Sequence, residues 1–216
     1  MAPRSRTTVP VAGRIPVQHL RPACPDPRWP AKAFVGELVP FSATVFREGH
    51  DAVGALLELT SPSGVARRYR MSSAGPGTDR WQVLVQPEMI GNWHWRVLGF
   101  SDDWETWLHI AEVKFAAGVD IDVTRELGAR LCDRAAAARG KHARTAAIRA
   151  ELRALAVALR DPRITAAAVL KSAQTASLRA EFWERPLYEL STYSPEQLLR
   201  VERARAGVGS WYEFFP

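Results

Sequence analysis

Residues 39–59 read VPFSATVFREGHDAVGALLEL, which predicts a strand, a polar turn and a second strand. In the first strand, apolar residues recur at every second position, at Val39, Phe41, Ala43 and Val45. Successive side chains of a strand point to opposite faces, so this period of two predicts one buried and one solvated face. The same period returns after the EGHD turn, at Ala55, Leu57 and Leu59.

Three further runs extend this pattern to residue 110. They contain Trp81, Val83 and Val85, then Trp93, Trp95 and Val97, then Trp104, Thr106, Leu108 and Ile110. Turn sequences rich in Gly and Pro separate the runs, such as GPGTD at 75–79. Short strands with a turn every ~8–12 residues predict a two-sheet β-sandwich of the immunoglobulin type.

The composition changes near residue 115 to Ala, Leu and Arg, and the apolar period lengthens to that of a helix. The sequence SPEQ at 194–197 predicts the start of a helix that runs to about residue 206. It offers a serine as the cap, a proline at the first helical position and a glutamine that can reach back to the cap. Shorter helices are expected at 165–170 and 176–184. The two longest amphipathic stripes are Val123, Leu127, Leu131 and Ala135, and then Ile148, Leu152, Leu155, Ala156 and Leu159.

These patterns predict two domains, an immunoglobulin-like β-sandwich at 13–114 followed by an α-helical bundle at 115–207. Residues 1–12 lack the apolar core of a secretory signal and predict a disordered lead. Residues 208–216 end in an apolar strand with no predicted partner. Because such a strand leaves its backbone donors unpaired, we expect a further sheet to follow it.

The chain of 216 residues has a net charge of +6, and residues 114–216 hold 17 basic against 12 acidic side chains. The arginines are spread singly, without Lys/Arg blocks or interleaved aromatic residues, so specific nucleic-acid binding is not favoured. No apolar run reaches the ~20 residues that cross a bilayer. Cys24 and Cys132 predict two free thiols in a reducing cytoplasm.

The sequence predicts no catalytic, cofactor-binding or metal-binding residue. No histidine lies beside a second histidine, or beside a carboxylate at metal-ligand spacing on one clear helix face. Asp102, Asp103 and Glu105 cluster between two predicted strands, where carboxylates more often hold a turn than act as acid and base.

The tryptophans allow two interpretations, since these rings fill cores and also stack on sugars. Trp81, Trp93 and Trp104 are in phase with aliphatic neighbours, which favours the core. Trp107 is out of phase with its neighbours, and Trp29 lies in a loop beside proline. Trp107 and Trp29 are therefore the candidates for an exposed interface or a glucan contact.

Several stretches together resemble the actinobacterial type of α-1,4-glucan:maltose-1-phosphate maltosyltransferase, a family of the α-amylase superfamily. The central stretch is SATVFREGHDAVGA at 42–55, and it is long and specific. The other stretches occur in order along the chain: GRIPV at 13–17, RWPAK at 28–32, GNW at 91–93, SDDWETW at 101–107 and WYEFFP at 211–216.

The resemblance implies a sandwich and a helical bundle ahead of a (β/α)8 barrel, with 208–216 as its first strand. Catalytic carboxylates of such barrels lie on later strands, so the chain alone is expected to be inactive. The family transfers maltosyl units from maltose 1-phosphate to α-glucan in the cytoplasm, without a metal cofactor. It also implies a homodimer formed through both domains.

Three hypotheses follow. The first is a non-catalytic part that supports and dimerises a maltosyltransferase. The second is a glucan-binding module that uses Trp107 or Trp29. The third is a basic nucleic-acid binder.

Overall fold

The computed structural model describes residues 13–26, 28–75 and 77–208, except for the side chain of Lys141. The predicted lead at 1–12 and the predicted barrel strand from residue 209 onward lie outside the described residues. The fold mixes α and β structure, with two sheets and five α-helices in the described part. Residue contacts divide it into a β unit (13–47, 55–99 and 190–208) and a helical unit (48–54 and 100–189).

Ten strands are described. They are β1 (Val17–Arg21), β2 (Ala31–Phe34), β3 (Val39–Val45), β4 (Val53–Thr60), β5 (Ala66–Arg70), β6 (Ser72–Ser73), β7 (Arg80–Val85), β8 (Gly91–Ser101), β9 (Ser191–Tyr193) and β10 (Gln197–Glu202). The first sheet has the order β1-β3-β7-β6, and all its pairs are antiparallel. The second has the order β2-β10-β8-β4-β5, with β9 also paired to β8.

The alternation predicted for β3, β4, β7 and β8 is the pattern of burial in β7 and in β8 as far as Val97, whereas β4 is buried on both faces from Gly54 to Leu57. Phe41 of the first sheet and Trp95 of the second are both buried, and their rings meet edge to face with centroids 5.1 Å apart. Aromatic pairs in this geometry stabilise a core beyond the area that they bury. The apolar faces of both sheets therefore contribute to one core of the β unit.

The helices are α1 (Asp103–Ala117), α2 (Ile121–Ala137), α3 (Ala146–Arg160), α4 (Ala166–Ala173) and α5 (Ala176–Glu184). Short 3-10 helices lie at Gly140–His142, between α2 and α3, and at Ala204–Gly207, after β10. Three helices begin with a threonine whose hydroxyl accepts a hydrogen bond from the N–H three residues later. This satisfies a donor that the helix leaves unpaired, and the capping residues are Thr145, Thr165 and Thr175.

The predicted strand at 104–110 is wrong, because this segment is part of α1. Asp102 caps the helix by accepting a hydrogen bond from the Glu105 N–H at 3.2 Å. The buried residues of α1 are Trp104, Trp107, Leu108 and Ala111, which follow the spacing of a helix. Helical structure therefore begins at Asp103 and not near residue 115.

The predicted helix from 194 to 206 is also wrong, because residues 197–202 form β10. This strand pairs in parallel with β2 and antiparallel with β8. Leu199 and Val201 are buried while Arg200 between them is exposed, which is the alternation of a strand. Two flanking ladders override the local preference for a helix start.

Candidate functional site

Trp29 lies on the wall of an open cleft in the β unit. The cleft has a volume of about 600 Å3 and is lined by Pro22, Ala23, Cys24, Trp29, Pro30, Ala31, Lys32 and Arg200. Trp29 is 67% exposed, so its ring presents an aromatic surface to solvent. An open cleft with an aromatic wall and two cationic side chains fits a sugar ring or another flat polar ligand.

The loop that carries Trp29 is fixed by one aspartate. The Trp29 N–H donates to the Asp26 carbonyl at 3.1 Å. The Asp26 carboxylate accepts hydrogen bonds from the Arg28 N–H and the Arg28 guanidinium. On the far side, β2 and β10 place Lys32 directly beside Arg200. These contacts position Trp29 without covering its ring.

Trp107, the other sequence candidate, is not an exposed aromatic residue. It is 3% exposed and lies in the core of the helical unit, where its ring is 5.0 Å from that of Trp104. Its indole N–H donates to the Thr124 carbonyl at 2.8 Å. The prediction assumed the phase of a strand, and in a helix the same residue points inward. Trp107 is thus a structural residue of the helical unit, whereas Trp29 belongs to the β unit.

The acidic cluster at 102–105 stabilises the start of α1. Asp102 is the cap, and Asp103 forms an ion pair with Arg134 and accepts a hydrogen bond from the Ser101 hydroxyl at 3.2 Å. Burial raises the pKa of Asp103, although Arg134 and Ser101 act in the opposite direction. These carboxylates are committed to local contacts, so the arrangement gives no acid and base pair across a cleft.

The other polar groups are dispersed. His94 Nδ1 lies 2.8 Å from Glu196 Oε1, and His19 Nδ1 lies 3.2 Å from the Thr44 hydroxyl. Within the described ranges, no three His, Cys, Asp or Glu side chains gather as metal ligands. Cys24 and Cys132 are free thiols, as predicted. Of the described helices, none combines the length and the apolar character needed to cross a membrane.

Two buried arginines were missed by the sequence reasoning, because a lone arginine reads as a surface residue. The guanidinium of Arg125 donates to the carbonyls of Ala158, Leu159, Asp161 and Ile164, at and beyond the end of α3. Arg144 lies between the ends of α2 and α5, where it donates to the carbonyls of Ala135 and Arg185. Both residues satisfy carbonyls that helix ends leave unpaired. No spacing in the sequence marks either of them.

The first half of the apolar stripe predicted for α2 faces outward, whereas Ala135 at its other end is buried. Val123 is 61% exposed and Leu127, one turn later, is 50% exposed. The buried face of α2 instead carries Thr124, Arg125, Gly128, Ala129, Cys132, Ala135 and Ala136. An uncovered pair of branched aliphatic side chains on one helix face is a feature of interaction surfaces.

Comparison with known proteins identifies the chain. Residues 13–203 match the family described as α-1,4-glucan:maltose-1-phosphate maltosyltransferase, domain N/S. The chain belongs to this family. The resemblance of residues 42–55, and of the other quoted stretches between residues 13 and 107, is thereby confirmed as a family relationship.

Individual maltosyltransferases show the same relationship. The chain is 46% identical to α-1,4-glucan:maltose-1-phosphate maltosyltransferase 1 of Streptomyces coelicolor, over 95% of this chain and 30% of that relative. It is 43% identical to maltosyltransferase 2 of the same organism, over 94% of this chain and 30% of that relative. It is 40% identical to the maltosyltransferase of Corynebacterium glutamicum, over 95% of this chain and 31% of that relative. The chain thus spans about 30% of the length of the curated relatives that it matches.

Proposed function

We propose that this chain is the non-catalytic, N-terminal part of a cytoplasmic maltosyltransferase, and that it supports and dimerises the enzyme. The observation that carries the proposal is the match of residues 13–203 to the N/S domain of the family. We infer that transfer of maltosyl units from maltose 1-phosphate to α-glucan belongs to the remaining length of such an enzyme, in a (β/α)8 barrel.

The proposed architecture is an immunoglobulin-like β-sandwich and a helical bundle. The edge-to-face contact of Phe41 and Trp95 supports a sandwich, because it joins the apolar faces of the two sheets. The shared core of all five helices supports the bundle. The proposed bundle includes α1, since Trp104 and Trp107 pack among the helices.

The outward stripe of α2 supports dimerisation. Val123 and Leu127 are 61% and 50% exposed, so complete cover by a partner would contribute for each about half of the ~1.5–3 kcal/mol that full burial of such a side chain gives. Two copies related by a twofold axis can cover the same stripe on each other. The apolar face of α2 is therefore the proposed centre of the subunit contact.

Sedimentation equilibrium of the 216-residue chain tests this function. We expect the unsubstituted chain to be a dimer at micromolar concentration. The double variant Val123→Glu with Leu127→Glu should be a monomer with an unchanged circular dichroism spectrum. Val157→Glu is the matched control, because Val157 is an exposed apolar residue of α3 outside the stripe. A chain that stays monomeric at ~100 μM would contradict the dimerising role. Phosphate release from maltose 1-phosphate by the chain alone would contradict the non-catalytic role.

A second candidate function, glucan binding, is favoured by the exposed ring of Trp29 in its cleft. Stacking of a sugar on one aromatic ring is a weak contact, so we expect millimolar rather than micromolar affinity. Native electrophoresis in gels that contain glycogen should show retardation of the chain and its loss in Trp29→Ala. Trp183→Ala is the control, because Trp183 is another exposed tryptophan. Equal mobility with and without glycogen would end this candidate.

A further inference from the structure

A second cavity lies within the helical unit, and four of its nine lining residues are arginines. Its volume is about 350 Å3. The charged and imidazole side chains of its wall are Arg134, Arg139, His142, Arg144 and Arg185. Pro186, Leu187 and Tyr188 form an apolar side. The Tyr188 ring packs on Phe100, with centroids 5.1 Å apart, which holds this side in place.

The carboxylates near this basic pocket do not balance its arginines. Arg134 pairs with Asp103 and with Glu189, the latter at 2.5 Å. Arg144 and Arg185 share one carboxylate, that of Glu181. The wall therefore holds four guanidinium groups against three carboxylates.

Arg139 carries the unbalanced charge. Its side chain is exposed, and no described acidic residue forms an ion pair with it. It follows the end of α2, and its backbone is extended, with φ −128° and ψ 172°. Since no described side chain holds this guanidinium by a hydrogen bond or an ion pair, we treat it as available to a ligand.

Arg144 forms the buried end of the pocket, where it shares the single carboxylate of Glu181 with Arg185. Its side chain is 2% exposed, and Nε makes no hydrogen bond although it lies 3.2 Å from Glu181 Oε1. Burial lowers the pKa of Arg144, with Glu181 acting in the opposite direction. A buried cation whose charged form is penalised favours an anion nearby.

We propose that this basic pocket binds the phosphate group of a small phosphorylated ligand, with Arg139 as the principal contact and Arg134 and Arg185 beside it. Guanidinium groups match the oxygen geometry of phosphate and form charge-assisted bonds in pairs. The volume leaves space for a sugar beside the phosphate, and Leu187 and Tyr188 offer it an apolar wall. Inorganic phosphate and a sugar phosphate share the chemistry that the pocket recognises.

The test is thermal unfolding of the 216-residue chain with three probes at matched ionic strength: inorganic phosphate, maltose 1-phosphate and maltose. A ligand that binds only the folded state raises the Tm in a saturable way. We expect both phosphate-bearing probes to raise it and maltose to leave it unchanged. Tighter binding of maltose 1-phosphate than of phosphate assigns the pocket to a sugar phosphate, and equal binding assigns it to free phosphate.

Arg139→Ala should lower the affinity of the chain for both phosphate-bearing probes about tenfold. One charge-assisted hydrogen bond contributes about that factor. The matched control is Arg153→Ala, because Arg153 is an exposed arginine of α3 outside the pocket. Both variants should fold, because neither side chain has a described partner. The proposal is overturned if neither phosphate-bearing probe raises the Tm. It is also overturned if Arg139→Ala and Arg153→Ala bind the phosphate-bearing probes with the same affinity. Dimerisation is measured separately, so either result leaves the test of the proposed function intact.

Discussion

Arg144 and Glu181 form an ion pair inside the helical unit, with side chains only 2% and 6% exposed. The same guanidinium donates to the carbonyls of Ala135 and Arg185, at 3.1 and 2.9 Å. One buried cation thus joins the end of α2 to the end of α5, and one carboxylate compensates its charge. The helix ends depend on both members of this pair.

Removal of the carboxylate should be costly. In Glu181→Ala, Arg144 keeps its burial and loses its counter-ion, and such broken pairs cost about 3–5 kcal/mol. We expect a loss of this size in the free energy of unfolding measured with urea. Glu184→Ala is the control on the same helix, because Glu184 is exposed, and it should change stability by no more than about 0.5 kcal/mol. A similar small loss in Glu181→Ala would mean that water reaches Arg144.

Gly128 allows α1 and α2 to approach closely. A Cβ at this position would overlap the Trp107 ring, which Thr124 holds by its hydrogen bond. Gly128→Ala should therefore destabilise the chain by about 1–3 kcal/mol, the usual cost of overpacking, although alanine is the better helix former. Chemical denaturation measures this loss. Gly75→Ala provides the comparison, because a Cβ there meets nothing within 4 Å, and unchanged stability is expected.

Glu58 should contribute a stability that depends on pH. Burial alone would raise its pKa, but hydrogen bonds from Arg96 and Arg68 outweigh burial and lower the pKa below the ordinary value. Arg68 Nη2 donates to Glu58 Oε2 at 2.9 Å, and Arg96 Nε donates to Oε1 at 2.8 Å. A carboxyl with a lowered folded pKa stabilises the fold above its unfolded pKa, about 4.3, and this stabilisation is lost as pH falls through the folded pKa.

The free energy of unfolding should therefore fall less steeply between about pH 5 and pH 3 in Glu58→Gln than in the unsubstituted chain. Urea titrations across this range measure the difference. Glu88→Gln removes an exposed carboxylate and should keep the original slope. Identical slopes for all three proteins would show that the two arginines do not hold Glu58 in its charged form.

The two free thiols should react at different rates. Burial raises the pKa of Cys132 to about 12, with the nearby Asp133 carboxylate acting in the same direction. The thiolate is the reactive form, so Cys132 should resist a disulfide reagent at pH 8 until the chain unfolds. We expect Cys24→Ser to show no reactive thiol without urea and one with urea. Cys132→Ser should react without urea through Cys24, and rapid labelling of native Cys24→Ser would mean that the helical core opens readily.

The sequence predicted those elements whose burial follows a simple period. Burial alternates in β7 and in the first half of β8, and the stripe of α3 is buried from Leu152 to Leu159. The segment at 104–110 was misassigned because its residues are good strand formers and its alternation fits four positions. The helical period appears only when Trp107 and Ala111 are included among the buried residues of this segment, together with Trp104 and Leu108.

Other features depend on contacts between distant residues. Val123 and Leu127 were predicted to be buried, but Gly128 and Cys132 allow closer packing and turn that face of α2 inward instead. The exposed position of Trp29 could be predicted from its loop, whereas its cleft requires Arg200 from the end of the chain. The basic pocket likewise gathers Arg139 and Arg185 from separate segments. Pairing of distant charges has no periodic signal.

β10 has a consequence for synthesis of the chain. It lies between β2 and β8, yet its residues leave the ribosome after all five described helices. Until then, β2 has no described partner in its sheet, and one edge of β8 lacks the neighbour that covers it. Unpaired edges of nascent sheets are sites where chains associate wrongly. Pausing of translation between codons 102 and 196 should therefore prolong the period in which the new chain needs protection by a chaperone.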